Sequence, residues 1–403
     1  MGLGWCDGGI DLNSNKEDNQ QMYLNEDNYS ISSKRMRKNS FAFNKLADIK
    51  KTKNSLHSLS PYVGKIRSDL TKHLIDNYAL KNEYICDPFY GSGTVLLEGW
   101  EKGYNVVGSD LNLYAYTLSM GKLNPLTSLD IAEKKLIKYN NTIMRLKNNV
   151  SEANIPNWVK DFFHRETLKE ICMWFMVLQQ NKEHFLLSCL LGILHHQRPG
   201  FLSFPSSHGA PYLRMGKYPK TQFPEMYEYR NVYNRLIKKI QRAYKDIPNL
   251  NFSLSREVHL GDSTKINLSR RRIATIITSP PYMKSLTYAR DNRLRLWFLG
   301  LEDWAELDKS ISPAPEQFIK MMKDSFFKWS YLQAKNDKCI IIVGDIPISL
   351  SSSKTPLPSA ICEIAKQHYR LISAYEDPIQ EGKKTVKGNN TIKREIILIL
   401  ERK

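Results

Sequence analysis

Over residues 1–56 hydrophobic positions are sparse and show no sustained period. Asn, Ser and Lys dominate there, and a basic stretch runs from Lys34 to Asn54, which predicts a polar extension rather than a core. From His57 the pattern changes. Leu70, Leu74 and Ile75 recur at helical spacing, and Tyr84-Ile85-Cys86 then reads as a short apolar strand ending at Asp87. A Gly-rich turn follows, leading into a helix whose Val95, Leu96, Leu97 and Trp100 face inward and which Gly103 terminates. Asn105–Gly108 makes a second strand that stops at Asp110, completing a β-α-β unit. Residues 125–250 are mostly helical in pattern, including one helix over 225–244, and are broken by the loop RPGFLSFPSSHGAPYLRMGKYPK. Strand signals resume in REVHLGD, IATIITSPPY, KCIIIVGD and the last apolar run, REIILILER. The chain therefore divides into an extension (1–56), a first sheet-forming part (57–124), a mainly α-helical insert (125–250) and a second sheet-forming part (251–403), the two flanks sharing one α/β sheet. There is no internal repeat and no low-complexity tract.

Composition narrows the class. The 403 residues are 41% hydrophobic and 11% aromatic, which suits a globular chain with a large core. No apolar run approaches the roughly eighteen residues of a membrane span. The first residues, MGLGWCDGGIDLNSNKEDN, lack the basic start and apolar stretch of a signal peptide, so a cytoplasmic location is expected. The six cysteines are scattered without a Cys-x-x-Cys pair, which fits a reducing compartment and gives no metal site. Lys plus Arg outnumber Asp plus Glu by 59 to 41, a net +18 that points to a polyanionic partner or, more plainly, only to solubility.

Two short segments carry candidate chemistry. In Asp87-Pro88-Phe89-Tyr90-Gly91-Ser92-Gly93-Thr94, between a strand and a helix, the glycines let a ligand approach the backbone and the helix start offers free amides. No Lys-Ser/Thr follows the glycines as in a P-loop, and the third glycine of the dinucleotide fingerprint is missing. Asp87 at the strand end disfavours a pyrophosphate and favours a cationic ligand. Asp110 stands where a carboxylate accepts both ribose hydroxyls in Rossmann-like sites, and equally where a solvated strand-end Asp stands. The second segment, Thr278-Ser279-Pro280-Pro281-Tyr282, follows an apolar strand that its prolines must end. It fixes a hydroxyl, a free carbonyl and an aromatic ring relative to one another. An extruded nucleobase could stack on Tyr282 and donate its exocyclic amine hydrogens to Ser279 and the Pro280 carbonyl. The same string also reads as a rigid turn without chemistry.

DPFYGSGT followed by TSPPY resembles the S-adenosyl-L-methionine-dependent amino-methyltransferases of DNA, cytosine-N4 type. The resemblance extends to HSLSPYVGK (His57–Lys65), to Gly261-Asp262-Ser263 and to the final strand, about 220 residues together. It implies a Rossmann-like class I methyltransferase fold, a mixed sheet with helices on both faces, plus the inserted helical recognition domain. It implies S-adenosyl-L-methionine held by Tyr62, Lys65, Asp87, Pro88, Phe89, Tyr90, Gly91, Gly93, Thr94, Asp110 (ribose) and Asp262 (adenine), with Ser279, Pro280, Pro281 and Tyr282 as the base-holding catalytic loop. Ser at the first position of that loop leans toward cytosine N4, whereas Asp or Asn leans toward adenine N6. The implied partners are double-stranded DNA and a cognate restriction endonuclease. An RNA guanine-N2 methyltransferase shares a Gly-rich turn and a Pro-Pro-Tyr loop, but usually carries a separate N-terminal RNA-binding domain for which the extension is too short. The amine itself attacks the methyl group, so neither metal nor cysteine nucleophile is implied.

The insert interleaves basic and aromatic residues. Arg198, Arg214, Lys217, Lys220, Arg235, Lys238 and Lys239 are candidate phosphate contacts, joined by Lys284 and Arg290 beyond the Pro-Pro loop. A helical packing or dimerisation module is the other reading, because Trp174, Phe175, Leu186, Leu187, Leu190 and Leu191 form a core face. His195 and His196 read as loop anchors. Residues 288–300 resemble the helix that follows the Pro-Pro loop in cytosine-N4 enzymes.

Overall fold

The computed structural model describes residues 44–45, 53–146, 153–265, 272–281, 287–350, 353–378 and 394–403. Most of the polar extension, Tyr282 and Lys284 lie outside them. Seven main strands make one sheet: β1 (Tyr84–Asp87), β2 (Asn105–Asp110), β3 (Arg256–Leu260), β4 (Ile273–Thr278), β5 (Lys338–Gly344), β6 (Tyr369–Pro378) and β7 (Arg394–Arg402). Their order is β3-β2-β1-β4-β5-β7-β6, with Asn44–Lys45 pairing alongside β6. Among the seven, β7 alone runs antiparallel, pairing with β5 on one side and β6 on the other. This is the mixed Rossmann-like sheet.

Helices cover both faces, and the strands show why. Along β5, Ile340 and Ile342 join one core while Ile341 and Val343 join the other. Along β7, Ile397 and Ile399 part from Ile396, Leu398 and Leu400 in the same way. Successive side chains of a strand point to opposite faces, so a run apolar at every position demands two coats. One coat is α1 (Ser68–Tyr78), α2 (Thr94–Glu101) and α3 (Leu113–Leu123), and the other includes α12 (Pro315–Leu332) and α13 (Leu357–Ala365).

Between α3 and β3 the insert folds as α4 (Leu129–Leu146), α5 (Asn157–Lys160), α6 (Arg165–Gln180), α7 (His184–Gly192) and α8 (Val232–Ala243). Its buried side chains, among them Trp174, Phe175, Leu186 and Leu190, are continuous with those of α1–α3 in one core. At Gly121 of α3 a Cβ would stand 2.2 Å from Ser188 Oγ of α7, and at Gly192 a Cβ would stand 1.8 Å from the Leu59 carbonyl oxygen. The insert docks by backbone-close contact with the cofactor-side half.

Three local expectations are corrected. The helix expected over 225–244 is a 3-10 turn (Pro224–Tyr227) followed by α8, which restarts because the Asn231 side chain accepts the Asn234 N–H and caps it. The helix expected over 288–300 is α9 (Tyr288–Asp291) and α10 (Arg293–Phe298), divided at Asn292. Strand β6 has no counterpart in the sequence reading, because its burial alternates only partly and its pairing with β7 carries an irregularity near Leu400. The remaining helix, α11 (Trp304–Ile311), precedes α12. No helix of the described residues is long and apolar enough to cross a membrane.

Gly192→Ala should destabilise the whole chain by about 1–3 kcal/mol, the usual cost of forcing extra volume into a packed contact. Denaturant unfolding followed by both fluorescence and circular dichroism is the measurement, and a wild-type midpoint for this variant would refute the Leu59 contact.

Candidate active site

Strands β1, β2 and β4 all deliver their carboxyl ends to one cavity of about 480 Å³, the place where open α/β sheets bind ligands. Its lining includes Tyr62, Pro88, Phe89, Gly91, Asp110 and Asp262 from the cofactor candidates and Ser279 and Pro281 from the Pro-Pro loop. The two motifs, nearly two hundred positions apart in sequence, share one chamber.

The Gly-rich turn is fixed from several sides. Gly91 and Gly93 have φ of 48° and 70°, a region that side chains disfavour, and a Cβ on Gly93 would stand 2.5 Å from Ser119 Oγ. The Asp110 carboxylate accepts the N–H groups of Gly91 and Asn112, each at 2.9 Å. Fully buried Lys122 donates to the Ser92 carbonyl from below, at 2.5 Å, and burial pushes its ammonium well below the usual lysine range. Tyr62 reaches the cavity from the segment before α1, stacked on Tyr114 with ring centres 5.7 Å apart, and the Tyr114 hydroxyl donates to the Pro61 carbonyl.

Asp87 is buried beneath the chamber rather than lining it. Its Oδ1 accepts the Thr278 hydroxyl at 2.7 Å and the Phe89 N–H at 3.2 Å. Burial, opposed by those two bonds, raises the carboxyl to about 7. Asp110 is raised to about 6, again by burial first. Tyr90 also turns inward, its hydroxyl donating to the His259 carbonyl of β3 at 3.0 Å. Gly93 and Thr94 begin α2, Lys65 is exposed outside the lining, and Pro280 is buried behind Ser279 and Pro281.

Asn112 had no motif to announce it, and Ser263 belongs to the Gly261-Asp262-Ser263 turn without a role singled out for it. Asn112 Nδ2 and Ser263 Oγ are buried at the cavity without a hydrogen-bond partner among the described residues. With Asp110 and Asp262 they form a set of two acceptors and two unmatched polar groups, which suits the hydroxyls and ring nitrogens of a nucleoside. The far wall comes from α9, α11 and α12: Tyr288, Glu306, Lys309, Ser310, Gln317 and Met321. Asp110, Asp262 and Glu306 face one ammonium, Lys309, on the described lining, a balance that attracts a cation.

The candidate polyanion contacts separate into two groups. Arg198, Arg214, Lys217, Lys220, Lys238 and Arg290 are exposed. Lys239 instead donates to the Ser58 carbonyl and half-buried Arg235 to the Asn231 carbonyl, so both act within the fold. His195 and His196 are buried and hold the insert loop, His195 Nδ1 lying 3.2 Å from the Ser207 carbonyl and His196 Nδ1 accepting the Arg198 N–H at 3.0 Å. Arg230 staples the same loop through the carbonyls of Phe201 and Ser203.

Residues 11–120 match the family described as DNA methylase, N6_N4_Mtase. Among curated proteins the chain is similar to the type II methyltransferase M.MjaII of Methanocaldococcus jannaschii, 32% identical over 150 residues, covering 36% of this chain and 24% of that protein. It is also similar to the type II methyltransferases M.BsoBI of Geobacillus stearothermophilus (27% identical, 64% of this chain and 56% of that one) and M.MvaI of Kocuria varians (25%, 62% and 59%). The aligned part thus spans from a quarter to about three-fifths of these relatives. Among solved structures, TrmN from Thermus thermophilus aligns over 85% of this chain and 50% of its own at 10% identity, with a TM-score of 0.35.

The buried carboxyl of Asp87 generates a stability prediction. Its value rises from 3.8 unfolded to about 7 folded, so between those pH values the folded state holds the extra proton and stability falls as pH rises. Asp87→Asn, which keeps an acceptor for Thr278, should match wild type near pH 4 and melt progressively higher than wild type toward pH 8. A melting difference that does not change with pH would refute the assignment.

Proposed function

We propose that the chain is an S-adenosyl-L-methionine-dependent DNA amino-methyltransferase that methylates the exocyclic N4 of cytosine in duplex DNA after extruding the base. The carrying observation is the single cavity that takes in Gly91 and Asp110 on one side and Ser279 and Pro281 on the other. The match of residues 11–120 to the DNA methylases supports the class, and Ser279 at the first position of the loop favours cytosine over adenine.

When bound, S-adenosyl-L-methionine supplies a methyl carbon made electrophilic by its sulfonium. Asp110 and Asn112 would hold the ribose, Asp262 and Ser263 the adenine, and the acidic lining would favour the positive charge. The Ser279 hydroxyl and the Pro280 carbonyl would accept the amine hydrogens of the base, turning the nitrogen lone pair toward the methyl carbon, while Tyr282 stacks on the ring. As the new N–C bond forms and the C–S bond breaks, the surplus proton leaves to water or through Ser279. Alignment and exclusion of water supply the acceleration. A restriction endonuclease of the same specificity is the partner this reading suggests, in the cytoplasm.

Tritium transfer from labelled cofactor into duplex DNA tests the reading, with mass analysis of the nucleosides assigning the product. N4-methylcytosine is expected. N6-methyladenine would overturn the base assignment alone, and transfer to RNA but not DNA would overturn the class. Ser279→Ala and Tyr282→Ala should each lower the rate about a hundredfold, the scale of one lost transition-state contact, while retaining cofactor binding. A second expectation concerns acidity: because Asp110 is raised to about 6 and only its ionised form leaves both oxygens as acceptors for the ribose hydroxyls, cofactor affinity should fall as pH drops through about 6. Asp110→Asn should bind more weakly and lose that dependence, as calorimetry between pH 5 and 8 would read.

A further inference from the structure

A strip of cations, exposed except for half-buried Arg293, leads away from the cavity mouth, and contacts within the structure join its members. It begins at Lys309, whose side chain is 75% exposed and is held 2.9 Å from Glu306. The neighbouring Asp308 carboxylate accepts the N–H groups of Ala289 (2.7 Å) and Arg290 (3.1 Å), which seats the start of α9 and exposed Arg290 against α11. Just beyond, Arg293 donates to the Pro211 carbonyl at 2.7 Å and lays its guanidinium 4.8 Å from the centre of the Tyr212 ring. Tyr212, 50% exposed, stands in a loop closed by a bridge between Ser206 and Leu213, and Arg214 follows it, donating to Gln197 beside Arg198.

Resting on the methyltransferase reading above, we infer that this strip, from Lys309 through Arg290, Arg293 and Tyr212 to Arg214, is the docking surface for the duplex backbone flanking the extruded nucleotide. The three carboxylates of the cavity repel phosphate, so a phosphodiester chain needs compensating cations at the mouth; Lys309 stands there, and Asp308 beside it seats Arg290 next along the strip. Tyr212 adds what cations lack. Its ring, backed by Arg293, presents an apolar face to a sugar or a base edge at a fixed distance from the chamber, because Arg293 belongs to the helix directly after the cavity residue Tyr288. The insert loop is thereby tied to the segment that follows the base-holding residues, and duplex and cavity share one frame.

The test is fluorescence anisotropy of a labelled duplex with the full chain, from about 50 to 200 mM salt. Lys309→Gln, Arg293→Gln and Arg214→Gln should each reduce the slope of log affinity against log salt by about one, and the triple variant by about three. Tyr212→Ala should weaken binding about fivefold or more with the slope unchanged, as loss of stacking rather than of charge. Cofactor affinity, measured alongside, should stay at the wild-type value in the charge variants of the insert loop. A triple variant with wild-type slope, in a chain that methylates DNA, would overturn the strip and leave the enzyme reading intact. A wild-type chain that transfers no methyl group to any DNA would overturn both.

Discussion

The hydrogen bond from the Thr278 hydroxyl to the buried carboxyl of Asp87 joins the ends of two parallel strands, and the site is built outward from it. Past Asp87 the chain must turn through Gly91 and Gly93; past Thr278 it must leave the sheet through Pro280 and Pro281. Neither exit can continue a ladder, so each loop takes its direction from the strand end behind it. Tying those ends together sets the distance between the loops. The tie also tolerates a change of charge: with Asp87 near 7, the threonine hydroxyl donates to the carboxylate and can accept from the carboxylic acid. Burial still makes the ionised form the costlier one, which is why the carboxyl stands above its ordinary range in spite of this partner.

Asp110 does the corresponding work at β2, and the two carboxyls explain the character of the chamber. One is spent on structure and the other is shared, since it closes the glycine turn through Gly91 while also lining the cavity. An anionic ligand would meet Asp110, Asp262 and Glu306 at once, whereas a cation that also carries hydroxyls finds charge and acceptors together. This selectivity comes from Asp110 at the end of β2, Asp262 just past β3 and Glu306 on α11.

How much of this was legible in the sequence follows from where the physical signal lies. Strands β4 and β7 announce themselves because each carries an apolar run, Ile273-Ala274 and Ile276-Ile277 in β4 and Ile396–Leu400 in β7, a demand made by coats on both faces. The βα turn is legible because glycines at φ of 48° and 70° admit few substitutes. Strand β6 was missed, since an outer strand with partial burial shows neither a solid run nor clean alternation. The wall formed by α11 and α12 was missed for another reason: Glu306, Lys309 and Gln317 meet the glycine turn across some two hundred residues, and nothing local records that contact. Lysines misled the reading in the same way. Lys239 and exposed Lys238 are adjacent letters, yet only the first reaches the Ser58 carbonyl.

The insert is the part for which sequence suggests a separate body and structure a shared core. Two glycines bring α7 against the cofactor half at distances no side chain would permit, Gly121 toward Ser188 and Gly192 toward the Leu59 carbonyl, and the loop that follows α7 is pinned by His195, His196 and Arg230. A surface carried on such a loop cannot swing independently of the chamber, because moving it requires breaking a continuous apolar core rather than bending a linker. If the loop meets a duplex as inferred, recognition and positioning of the reacting base are one rigid geometry. Discrimination between sequences would then arise from how well a duplex fits a fixed frame, with the DNA doing the deforming.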